Sequence, residues 1–146
     1  MKWIGRFLVG LSCVASGLFP FFFWFDGDHL QNKQWPVHAK FHALWQTGIT
    51  TLACAVGLFC VVALWERGSW ARWVGAALPS CVWVAFLFAA FVLAPMYGLS
   101  DPFPHVNKTV LGLKANIWGT FAPLVCAVVG FGLDRLFNPI ADDSSQ

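Results

Sequence analysis

The sequence predicts an all-α integral membrane protein, a four-helix bundle with proline-kinked spans. Three observations carry that expectation. The 146 residues are 58% hydrophobic and 11% charged, with a mean hydropathy of +0.65. Soluble domains carry about 25% charged residues, and a chain of this size has too little interior to hide so much apolar surface. Four apolar runs each exceed the ~20 residues that a helix rising ~1.5 Å per residue needs to cross the hydrocarbon. Prolines 20, 79, 95 and 123 interrupt three of these runs, as neighbouring helices in lipid permit. Transmembrane strands would be about half as long and would alternate. A net charge of +2 gives no basis for a nucleic-acid partner.

The first span runs from Trp3 to Phe25. Lys2 and Arg6 ahead of small residues at 15–17 also fit a signal peptide, but the run is read as a membrane helix. Its end, "FPFFFWF" (Phe19–Phe25), puts Trp24 at the headgroup boundary, as part of an aromatic belt or the wall of an apolar pocket. A polar loop, Asp26–Val37, leads to the second span, 38–65. Pro36 suits the first helical turn, and Trp35 before it is biased toward extended geometry. A tight charged turn, Glu66–Trp73, precedes the third span, 74–97; a loop, Gly98–Ala115, precedes the fourth, 116–137. The polar tail 138–146 completes a single transmembrane domain without internal repeats. Cys13, Cys54, Cys60, Cys81 and Cys126 lie within apolar runs and read as small hydrophobes. Ser12, Ser16, Gly130 and Gly132 read as small residues that let helices approach closely.

Orientation follows from the basic residues near span ends. One side carries Lys2, Arg6, Arg67, Arg72 and Arg135; the other carries Lys33, Lys40, Lys108 and Lys114. Every arginine is on the first side, which we assign to the cytoplasm together with both termini. The expected location is a bacterial inner membrane.

All four histidines, His29, His38, His42 and His105, then share the outer face with Asp26, Asp28 and Asp101. That partition depends only on span count. His38, His42, Gln46 and Thr50 follow at four-residue spacing, a polar stripe descending about 18 Å into the membrane. Such a stripe is expected to face the bundle interior. Asp101 and His105 flank a Pro-Phe-Pro turn ahead of Asn116. The expectation is an outer vestibule with His38, His42, His105, Asp101, Asp28 and Asp26 as the reacting groups. Trp35, Gln46, Asn116, Trp24 and Thr50 would line the substrate pocket.

Two chemistries suit this set. Histidines at i,i+4 share one face of a helix, so His38 and His42, with His105, would hold zinc, iron or copper, although no glutamate stands between the pair. Without metal, Asp and His would move protons on a lipophilic molecule held by apolar walls. Both spans starting on this side present positive helix ends, which favours neutral imidazole, and the three aspartates push the other way. The plain alternative is that His, Trp and Lys solvate helix ends at the interface.

The segment "WPVHAKFH" followed by "WQTG" resembles a pattern found in small, functionally uncharacterised four-helix membrane proteins. That resemblance implies a recurring histidine pair and no particular activity. The helix count is similar to that of the emopamil-binding-type sterol isomerases, a likeness of architecture that does not extend to their membrane-embedded acids. The function expected is a small membrane enzyme, its isomerase, cyclase, hydratase or oxidoreductase class unresolved, or a metal-binding membrane protein, acting on a lipophilic molecule at the outer leaflet. The alternative is a non-catalytic accessory subunit packed against a larger membrane complex or a second copy of itself.

Overall fold

The computed structural model describes residues 3–24, 30–98 and 109–139. Four helical rods run up and down. Helix α1 is Ile4–Trp24. Helix α2, Val37–Phe59, continues through a π-helical turn, Cys60–Leu64, and a 3₁₀ turn, Trp65–Arg67. Helix α3, Ser69–Phe88, continues through a second π-helical turn, Ala89–Leu93, into a short α4, Ala94–Met96. A two-stranded hairpin, β1 (Thr109–Val110) and β2 (Leu113–Lys114), enters α5, Ala115–Phe137. The rods Val37–Arg67, Ser69–Met96 and Ile117–Phe137 are long and apolar enough to cross a membrane; in the first helix the apolar stretch is Ile4–Pro20.

Two boundaries differ from expectation. The third helix begins at Ser69, not at residue 74. Chain reversal is concentrated at Gly68, whose φ of +152° is open to glycine and strained for other residues, so the residues assigned to a charged turn become helix. The loop expected over Gly98–Ala115 contains the hairpin, closed by Leu111 (φ 49°) and Gly112 (φ 80°). Positive φ at both turn positions matches the twist that a two-residue hairpin needs. The Trp118 indole of α5 donates to the Val110 carbonyl at 2.8 Å and ties the hairpin down. Among the prolines, 20, 79 and 123 lie inside α-helices. Pro95 is the second residue after a widened turn, Ala89–Leu93, and a widened turn eases the clash of a proline ring with the turn before it.

Helices α1 and α3 occupy the middle of the bundle and touch each other; α2 and α5 each pack on both. Small residues make this approach tight. A Cβ placed on Gly5 would lie 2.5 Å from the Gly130 carbonyl oxygen, and one on Gly130 would lie 2.8 Å from the Gly5 oxygen. The two backbones are therefore in direct contact. Gly132, expected to do the same, faces open space. Ser12 and Ser16 are fully buried, as expected of packing residues. The Ser12 hydroxyl donates to the Pro123 carbonyl at 2.7 Å, and Ser16 Oγ accepts the Trp83 indole N–H at 2.7 Å. Pro79 has no N–H for the Gly75 carbonyl one turn back, and the Cys13 thiol donates to that oxygen at 3.4 Å. Val9, Cys13, Val61, Trp65 and Ala76 form the buried apolar cluster. Outward faces stay greasy at mid-helix, where Leu11, Ile49, Val56, Val84 and Val128 are exposed.

Candidate functional site

The two ends of the bundle carry different chemistry. At one end, the start of α1, the end of α2, the start of α3 and the end of α5 come together, as the span count requires. Arg6 donates to the Val61 and Val62 carbonyls at 2.8 and 2.7 Å, where the π-helical turn interrupts the regular ladder. Arg72, 7% exposed, donates to Asp134, 1% exposed, at 2.8 Å. The Asp134 carboxylate also accepts the Trp65 indole N–H at 3.2 Å and the Asn138 amide N–H at 2.8 Å. Arg72 donates further to the Trp65 and Asn138 carbonyls at 3.1 and 2.8 Å. Glu66, largely exposed, lies 3.6 Å from both Arg6 and Arg72. This buried charge pair is saturated with hydrogen bonds, the condition under which burial of ions is tolerated. It ties three helices and holds no free group.

Sequence reasoning counted Arg72 and Asp134 only as topological charges. A signal was present: Asp134 lies inside the fourth apolar run, and an ionisable residue within a span generally has a dedicated partner.

At the opposite end stands the histidine pair. Pro36 occupies the N-cap of α2 with φ −57° and ψ 141°, and its carbonyl accepts the Lys40 N–H at 3.1 Å. One turn of helix then brings the two imidazoles together. His38 Nε2 and His42 Nε2 are 3.0 Å apart, with ring centroids 4.4 Å apart and planes at 86°. Two Nε2 atoms bound to one zinc at ~2.0–2.1 Å would be roughly 2.9–3.4 Å apart for bond angles between square and tetrahedral. The observed separation is that of a hydrogen bond between the rings and lies toward the square end of that range. Without metal, one ring donates its N–H to the other. Phe41 and Trp45 flank His42 at 6.0 and 5.9 Å.

The pair does not face inward. His38, His42 and Gln46 are exposed, whereas Thr50 is buried. At about 100° per residue each four-residue step advances about 40° around the helix. A row of four such positions therefore turns through about 120°. The buried face of α2 is Ala43, Thr47, Thr50, Cys54 and Gly57. Thr50 has rotated onto it, and His38 has not. The expectation of one inward stripe is corrected accordingly.

Of the remaining expected site residues, Trp35 is half-buried ahead of α2. Asp26, Asp28, His29, Asp101 and His105 lie outside the described residues, as do the side chains of Trp24 and Asn116. Among the described residues, no three His, Cys, Asp or Glu side chains come together to hold a metal. Of the three ligands expected, His38 and His42 come together and His105 lies outside the described residues. No family model, curated protein or solved structure matches this chain.

Proposed function

We propose that the chain is an integral membrane four-helix bundle with both termini on the cytoplasmic side. In this reading its activity centres on the His38–His42 pair, which binds a divalent transition metal at the outer membrane boundary for chemistry on a lipophilic small molecule. The single observation that carries the metal reading is the 3.0 Å separation of the two Nε2 atoms across one helical turn. Membrane embedding is supported by dimensions: α2 rises about 35 Å between His42 and Trp65, close to the ~30 Å hydrocarbon core. The exposed flank between these polar ends carries Ile49, Leu52, Val56 and Phe59, a surface suited to acyl chains. Aromatic neighbours Phe41 and Trp45 give the histidine pair an apolar surround for a greasy substrate. Neutral imidazole is the metal-binding form, and an ion there would serve as Lewis acid or bind a water.

The test is metal analysis of the detergent-purified full chain after zinc loading and dialysis. Wild type should retain zinc, and the double variant His38→Ala, His42→Ala should lose it with an unchanged thermal midpoint, because neither ring packs in the core. Retention below ~0.2 zinc per chain, against the near-stoichiometric filling of a true site, would remove the metal reading.

A further inference from the structure

We infer that the arginine end of the bundle binds the phosphodiester of an anionic phospholipid between Arg6 and Arg72, with Glu66 as a tethered placeholder that the lipid displaces. The inference rests on the membrane reading above and is independent of the histidine pair. Two guanidiniums from different helices converge on one carboxylate. Arg6 Nη1 lies 3.6 Å from Glu66 Oε1, and Arg72 Nη2 lies 3.6 Å from Glu66 Oε2. Both nitrogens therefore face a pair of acceptor oxygens on a single anionic group. A phosphodiester presents the same pair on its non-bridging oxygens, and the guanidinium is suited to that recognition.

The rest of each guanidinium is fixed. Arg6 Nε and Nη2 donate to the Val61 and Val62 carbonyls. Arg72 Nε and Nη1 donate to the Trp65 carbonyl, the Asp134 carboxylate and the Asn138 carbonyl. The two nitrogens facing Glu66 are thus held in place before a ligand arrives, which limits the ordering cost of binding. Glu66 itself is held loosely. Its side chain is 76% exposed, both separations exceed hydrogen-bond length, and an exposed pair of this kind contributes little. The site also sits at headgroup depth. Arg6 and Arg72 lie in the first turns of α1 and α3. Trp3, Trp70 and Trp73, at or beside the same helix starts, are exposed, as suits indoles at the headgroup boundary. Arg67, next to Glu66 in the chain, is exposed as well and adds attraction for an anionic leaflet. The exchange balances charge: the lipid phosphate takes the place of the carboxylate, and Glu66 moves into water.

The experiment is tryptophan quenching in the full-length chain reconstituted into vesicles of phosphatidylcholine and phosphatidylglycerol, with bromine on one lipid at a time. Brominated phosphatidylglycerol should quench more strongly at equal mole fraction. One charge near an anionic surface is equivalent to roughly fivefold in binding. Glu66→Gln should raise the relative affinity for phosphatidylglycerol by about that factor, and Arg6→Gln should lower it as much. A gain on Glu66→Gln does not arise from misfolding, so the test stands even where Arg6→Gln loosens the fold. Arg67→Gln, which removes a charge at the same end outside the site, should have a smaller effect than Arg6→Gln. Equal effects would mean diffuse attraction and overturn the inference. So would equal quenching by the two lipids, or a preference that Glu66→Gln leaves unchanged. Loss of the preference on adding inorganic phosphate at constant ionic strength would give the site to free phosphate and overturn the lipid as its ligand. No quenching by either lipid would remove the membrane reading itself.

Discussion

At the scale of single residues, the firmest feature is the Arg72–Asp134 pair. Its two charges are taken from water almost completely, and each carboxylate oxygen has a donor. Removing one partner leaves the other charge buried alone, which costs about 3–5 kcal/mol. Asp134→Ala should therefore destabilise the protein by that order in chemical denaturation within micelles. Replacing both partners, Arg72→Met with Asp134→Leu, should recover most of the loss, because no orphan charge remains. A smaller effect belongs to Leu111, which holds φ at 49° on an exposed turn. Leucine in the left-handed region costs about 1–2 kcal/mol, so Leu111→Asn should raise hairpin stability, seen as slower amide exchange at Leu113.

At the scale of elements, helix packing is decided by where the missing side chains are. The α1–α5 crossing leaves no room for a Cβ at Gly5 or Gly130, while Gly132, two residues on, has open space around it. Gly130→Leu should separate the helices and cost at least about 1–3 kcal/mol. Gly132→Leu should be close to neutral in the same assay. Equal losses from both would mean that the crossing does not depend on backbone contact. Helix α2 shows the companion effect of rotation: its row of four-spaced polar residues starts on the outer flank and ends in the core. Helix-rod continuity also depends on tertiary context, since the π-helical turn at Cys60–Leu64 has its carbonyls taken by Arg6 from another helix.

For the whole molecule, the decisive property is the separation of two polar ends by a greasy middle. Arg6, Arg72, Glu66 and Asp134 gather at one end, and the histidine pair begins α2 at the other. The proposed orientation, with the arginine end in the cytoplasm, predicts that Lys33→Cys reacts with a membrane-impermeant maleimide in intact cells. Arg67→Cys should react only after permeabilisation. The native cysteines lie within the helices, which keeps the background low. The reverse labelling pattern would invert the assignment and leave the shared end of the four helix termini unchanged.

The sequence by itself determined the helical class, the four rods and the grouping of arginines at one end with His38 and His42 at the other. Those properties follow from run length, apolar content and the parity of crossings, and they are summed over many residues. Tertiary structure alone decided which way each side chain looks. Whether His38 faces a neighbour or the outside depends on the rotation of α2 about its axis, and that rotation is set by Ala43, Thr47 and Gly57 meeting α1 and α3. Likewise Asp134 and Arg72, far apart in sequence, became a buried pair only when α3 and α5 packed side by side. Local periodicity carries no information about which helix will be the neighbour, so the two polar sites were legible as residues and not as geometry.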